Sequence, residues 1–141
     1  MTTAENKALL QNIFAELAKG NPQPFVDAMA DDFAWTVAGT TAWSKTYQTK
    51  KVVVEELLGT LRERLEPPIL VIAQRFIADG EFVAVEARGK NRTKEGMPYE
   101  NKYCFVFRVA DRKLRELTEY LDTELVTRAF GRQAGSSATA R

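Results

Sequence analysis

The chain has no histidine and a single cysteine, Cys104. Zinc sites of the Cys/His kind therefore cannot be built, and Ser-His-Asp or Cys-His nucleophile systems are closed. No internal disulfide can form, which makes the cytoplasm the expected compartment. Any proton transfer has to run through carboxylate, tyrosine, lysine or water held by arginine. There is no glycine-rich phosphate cradle, and Asp31-Asp32 reads as a turn and cap rather than a metal pair, so neither metal nor cofactor is expected. No apolar run approaches the ~18 residues of a membrane span. The opening MTTAENKALL lacks the basic-then-apolar order of a signal peptide. Charge of neither sign is in excess: 20 basic against 19 acidic residues leave a net +1, no bulk field for nucleic acid or an anionic membrane.

What is present is ordinary globular material. The 141 residues are 45% hydrophobic and 28% charged, one domain's worth with enough apolar side chain for a core. Over 6–19, Leu10, Ile13, Phe14 and Leu17 form a helical stripe that Gly20 and Asn21-Pro22 stop. Pro24 opens a short second helix with Phe25 and Met29 one turn apart, closed by Asp31-Asp32 before the strand Phe33–Val37. The loop 39–47 carries Trp43 and Tyr47. Thr49 caps a long helix over 50–65 with the stripe Val54, Leu57, Leu58, Leu61 and Leu65, which Pro67-Pro68 end. Four strands follow, over 69–78, 82–91, 99–109 and 114–122, with turns at Asp79-Gly80, 93–98 and Asp111-Arg112. Asp122 caps a last helical turn or two containing Leu125, Val126 and Phe130. Residues 1–130 make one domain and 131–141 a flexible tail.

Helices followed by an antiparallel meander make an α+β fold. Strands of this length curl, so the sheet should wrap the long helix as a cone with an apolar inside. Alternation puts Asn101, Tyr103, Phe105 and Phe107 on one face of the third strand, and Leu117, Glu119 and Leu121 on one face of the fourth. If these faces point inward, Glu119 is an acid between two leucines and opposite phenylalanines. A carboxyl in such a place has a raised pKa and suits acid or base work near neutrality. A bulge of one residue would instead turn Glu119 to solvent and make Tyr120 core. Phe14, Trp35, Trp43, Leu58, Phe105 and Leu117 are the expected ligand-lining residues. Tyr47 is expected at the surface or rim. Val83, Val85, Val106, Cys104, Thr118 and Tyr120 read as the outer, convex face, too apolar for a solvated sheet.

The opening helix with Gly20-Asn21, the run Met29-Ala30-Asp31-Asp32-Phe33-Ala34-Trp35, the segment Gly39-Thr40-Thr41-Ala42-Trp43-Ser44 and the ending Lys113 to Asp122 resemble the SnoaL-like group of the NTF2-like superfamily. That group also holds ketosteroid isomerases, polyketide cyclases and limonene-epoxide hydrolases. The resemblance spans about residues 5–130 and implies the cone-shaped α+β barrel already derived. It implies a small apolar or carbonyl-bearing ligand in the cone, with Glu119 as acid/base and Tyr103 or Asn101 as donors to an enolate oxygen. It also implies a homodimer joined through the convex sheet face. The acid-x-x-Asp ending matches the epoxide hydrolases at Glu119. Their Arg-x-Asp pair lacks its acid here, and Arg88 fits only with a shifted register. Three readings follow: cofactor-free proton transfer (isomerisation, cyclisation or dehydration), a non-catalytic ligand- or protein-binding module, and epoxide hydrolysis, which requires Arg88 to face the cavity.

Overall fold

The computed structural model describes residues 1–132; most of the tail expected over 131–141 lies outside them. Helix α1 (Thr3–Leu17) starts with a capping box in which Thr2 and Glu5 bond each other's backbone. Helix α2 (Gln23–Ala28) is shorter than its apolar spacing suggests, because strand β1 (Met29–Val37) begins at Met29. Asp31 and Asp32 are thus exposed residues of an irregular strand, not a helix end. After β2 (Thr46–Gln48) comes the long helix α3, made of Lys50–Val52, Val53–Leu58 and Gly59–Arg64. Its middle portion is π-helical, the Gly59 N–H reaching back to the Val54 carbonyl. Val53, four residues before Leu57, is the fully buried position, whereas the expected Val54 is half-buried.

The meander strands are β3 (Val71–Asp79), β4 (Phe82–Gly89), β7 (Lys102–Ala110) and β8 (Lys113–Leu121). Between β4 and β7 the chain makes a separate ribbon of β5 (Asn91–Arg92) and β6 (Pro98–Tyr99). Tyr99 therefore belongs to this ribbon, and the expected third strand breaks before Lys102. The main sheet runs β2-β1-β8-β7-β4-β3. Its meander pairs are antiparallel as expected, whereas β1 lies parallel to β8. Helix α4 (Thr123–Phe130) follows, with Asp122 accepting from the Glu124 and Leu125 backbones as its cap.

The concave face of the sheet holds the core, and α1 shares the filling of it with α3. Phe14 of α1 meets Phe76, Phe105 and Phe107 edge-on or tilted, with ring centroids 5.8–6.1 Å apart. Val83 and Val85 pair with Phe107 and Phe105 and are fully buried, so they line the inside and not the convex face. The convex face carries Ile77, Phe82 and Tyr120, each about half exposed at 54%, 49% and 52%, together with Cys104, Val106 and Thr118. A second apolar cluster, Leu65, Tyr99, Val126 and Phe130, closes the end of the cone beneath α4. No described helix is long and apolar enough to cross a membrane.

Candidate functional site

Between the concave sheet, α1 and α3 lies a cavity of about 380 Å³, within the range of small-molecule sites. Strand register brings its polar centre together. Glu119 of β8 sits opposite Phe105 of β7 and beside Val37 of β1, while Leu117 sits between Phe107 and Trp35. The inward alternative for Glu119 is thus the one realised. The β7–β8 irregularity falls between Arg108 and Val109, on the far side of Leu117, and leaves the alternation through Glu119 intact.

Glu119 is buried, with 8% of its surface exposed. The Trp35 indole N–H donates to Glu119 Oε1 at 2.9 Å. Oε2 accepts no hydrogen bond among the described residues. Burial pushes the carboxyl up from its ordinary 4.5 to about 7, partly offset by the Trp35 bond that favours the charged form. At neutral pH the group is therefore divided between acid and base, the condition under which one carboxyl can take a proton and return it.

Two phenols share the cavity wall. Tyr103 stacks on Phe105 with ring centroids 4.8 Å apart. Burial, then the neighbouring Tyr99 and Glu119, hold its hydroxyl well above the usual phenol range. Burial also raises Tyr99, to about 12. Both phenols stay protonated at neutral pH, so each keeps an O–H able to donate.

Of the residues expected at the site, Glu119, Tyr103, Phe14, Trp35, Trp43, Leu58, Phe105 and Leu117 all line the cavity. Asn101 does not. It is fully buried behind Tyr99, and its amide donates to the Tyr99 hydroxyl (3.0 Å) and the Asp122 carbonyl (3.1 Å). Its oxygen accepts from the backbone N–H groups of Lys102 and Asp122. With every donor and acceptor occupied, Asn101 is a fastener between β7 and the start of α4 and has no hydrogen bond left for a ligand. Tyr47 departs from its expected place as well: it is buried, and its hydroxyl donates to the Trp43 carbonyl at 3.2 Å.

Arg88 is exposed and shares the outer face with Glu86, so it cannot meet Glu119 through a water in the cavity. This removes the epoxide-hydrolysis reading. Glu86 pairs with Arg75 instead, at 3.1 Å. Tyr99, in phase with Tyr103 along the chain, also lines the cavity and stands outside the expected set.

Residues 10–117 match the model of the SnoaL-like domain. No curated protein matches the chain. Among solved structures, it is similar to an NTF2-like protein from Burkholderia xenovorans LB400, with 26% identity, TM-score 0.71, and coverage of 92% of this chain and 98% of that one. It also resembles a provisionally named SnoaL-like polyketide cyclase from Jannaschia sp. CCS1 (16% identity, TM-score 0.76, coverage 92% and 94%). A third neighbour is a provisionally named ketosteroid isomerase from Kribbella flavida (19% identity, TM-score 0.65, coverage 86% and 82%). At 16% and 19% identity the last two likenesses are likenesses of fold.

Proposed function

The chain belongs to the SnoaL-like domain family, and on that premise we propose that it is a cofactor-free cytoplasmic enzyme moving a proton on a small carbonyl compound held in the cone. Isomerisation, cyclisation and dehydration all contain this step. The observation that carries the reading is Glu119: among the described residues it is the only carboxyl lining a mainly apolar cavity, and Trp35 tethers it through one oxygen. Ionised Glu119 takes a proton from the carbon next to the carbonyl. The C–H electron pair moves into the new C=C bond, and the carbonyl π pair becomes an enolate oxygen. Tyr103, or Tyr99 beside it, donates to that oxygen in a site with little competing water. Protonated Glu119 then returns the proton to the same or another carbon.

The test is exchange of the α-hydrogens of a bound cyclic ketone in deuterated water, followed by NMR. Wild type should exchange them, and Glu119→Gln should lose on the order of 10²-fold or more of the rate. Equal rates would defeat the enzyme reading. If Glu119→Gln also kept the ligand affinity, the same apolar lining would support the second reading, a non-catalytic binding module.

We propose in addition that two copies associate through the convex face. Ile77, Phe82 and Tyr120 expose large apolar surface there, flanked by the Arg108 pairs with Glu81 and Glu116. Sedimentation should give a dimer for wild type and a monomer for Ile77→Arg/Tyr120→Arg. A wild-type monomer at tens of micromolar would reject this.

A further inference from the structure

Asn101 is wholly buried, and its amide has only one orientation open to it. The backbone N–H groups of Lys102 and Asp122 both donate to its oxygen, at 2.7 and 2.9 Å. A flipped amide would set its NH2 group against two donors, so the oxygen is fixed where it is. The NH2 group therefore faces the other way. It gives one hydrogen to the Asp122 carbonyl (3.1 Å) and one to the Tyr99 hydroxyl oxygen (3.0 Å). A hydroxyl that accepts along one direction sends its own proton along another.

The Tyr103 hydroxyl lies within hydrogen-bonding reach of Tyr99 and is placed to accept that proton. Tyr103 is itself held. Its ring stacks on Phe105 with centroids 4.8 Å apart, and Phe105 is the cross-strand partner of Glu119. Its hydroxyl also passes close to Gly89, where a Cβ would lie 3.5 Å from Oη. Tyr99 is the one hydrogen-bond partner of Tyr103 among the described residues. Once the Tyr103 oxygen accepts from Tyr99, its own proton has no acceptor there, and the residue lines the cavity. Hydroxyl donors in such places ordinarily find an acceptor. Here the ligand brings it.

We propose that Asn101 is a positioning residue that sets the direction of a hydrogen-bond chain, from its own N–H to Tyr99 and from Tyr99 to Tyr103, whose last proton is presented to the carbonyl oxygen of the ligand. This rests on the proton-transfer reading and assigns its donor: Tyr103 touches the ligand, and Tyr99 acts through Tyr103. Each bond in the chain polarises the next. The chain needs no reorganisation as the enolate forms, because its direction is already set.

The carbonyl stretch of bound cyclohexanone, labelled with carbon-13 at the carbonyl, reads the donor without turnover. Infrared difference spectra of wild type should show the band displaced below its position in an apolar solvent. Tyr103→Phe should abolish the displacement and slow α-hydrogen exchange by on the order of 10²-fold or more, chiefly through kcat. Tyr99→Phe leaves the Tyr103 proton free for the ligand and should lose only roughly 10–30% of the displacement, the share due to polarisation. Asn101→Asp tests the direction. Charged or neutral, the new carboxyl turns an acceptor oxygen to Tyr99, since any proton it holds goes to the Asp122 carbonyl, which can only accept. Tyr99 then donates to that carboxyl and accepts from Tyr103, so the displacement should vanish with both phenols still present. Adding Tyr99→Phe to Asn101→Asp breaks the connection and should return the band to its place in Tyr99→Phe alone.

A displacement that survives Tyr103→Phe, or that Tyr99→Phe removes in full, overturns the inference whether or not Asn101→Asp folds. So does a folded Asn101→Asp protein with the wild-type band, or a double variant that fails to recover it. The expected order of bands without Glu119-dependent exchange would keep the chain and defeat proton transfer; exchange with the wrong order would do the reverse. If no bound carbonyl band forms at any ketone concentration, both readings fall.

Discussion

Trp35 and Glu119 face each other from neighbouring parallel strands, and the indole N–H of one holds a carboxylate oxygen of the other at 2.9 Å. No other side chain among the described residues hydrogen-bonds that carboxyl. A lone neutral donor is enough to orient the group. It is too little to cancel the cost of burying a charge, so the pKa remains near neutrality.

The first consequence is a pH-dependent stability. The carboxyl moves from 4.5 up to about 7 on folding, so the unfolded chain ionises first. Below about pH 4.5 the group costs nothing; as pH rises to about 7 and beyond, the wild type is progressively destabilised, by on the order of 3 kcal/mol at most. Glu119→Gln keeps an oxygen for Trp35 and lacks the charge. Urea denaturation should find the variant more stable than wild type above about pH 7.5, with the gap closing toward about pH 4.5.

Trp35→Phe should move the titration itself. The indole bond is the one influence that lowers the Glu119 pKa, and its removal leaves burial unopposed. Carbon-13 NMR of labelled glutamate should place the Glu119 midpoint above that of the wild type. Because the chain has no histidine, no imidazole titrates beside it. An unchanged or lower midpoint would contradict the geometry.

Asn101→Ala tests the reassignment of that residue from ligand donor to fastener. Removing its side chain strands the Tyr99 hydroxyl and both backbone groups of Asp122 that it bonds. A loss of about 3 kcal/mol is expected by chemical denaturation. Ligand affinity measured on the fraction that stays folded should be close to wild type; a stable variant that cannot bind would restore the original role.

Gly20→Ala should destabilise by about 1–2 kcal/mol through a left-handed backbone and a blocked contact. The residue has φ +84°, and a Cβ there would lie 2.9 Å from the Pro68 Cβ. The melting temperature should fall while the Glu119 titration stays put, since Gly20 packs against Pro68 and Leu70 and away from Trp35, the hydrogen-bond partner of Glu119.

Most of the site was legible because it lies on regular strands. Period-two alternation through Leu117, Glu119 and Leu121 and through Phe105 and Phe107 survives intact, and it placed the acid among apolar side chains. The reading failed where regularity stops. Extending β7 past its true start at Lys102 carries Asn101 to the cavity, whereas the chain tucks it behind Tyr99. Val83 and Val85 were put on the wrong face because an alternating strand leaves its two faces interchangeable until a partner fixes them; their pairing with Phe107 and Phe105 does so. Val53 and Val54 both fit a helical stripe through Leu57 and Leu61, and only the packing against the sheet chooses Val53 as the buried one. The parallel pairing of β1 with β8 is a long-range contact with no local signature.

Three of the chain's five prolines, Pro22, Pro67 and Pro68, stand around the cavity opening. Their rings lock φ on one side, and the backbone hydrogen bonds of α3 stiffen the other. Among the exposed lining residues, Arg62 carries the long side chain that is free to swing. Side chains of this kind rotate in nanoseconds or less. For the ligand proposed above, entry would then be gated by side-chain rotation more than by movement of the proline-bound backbone.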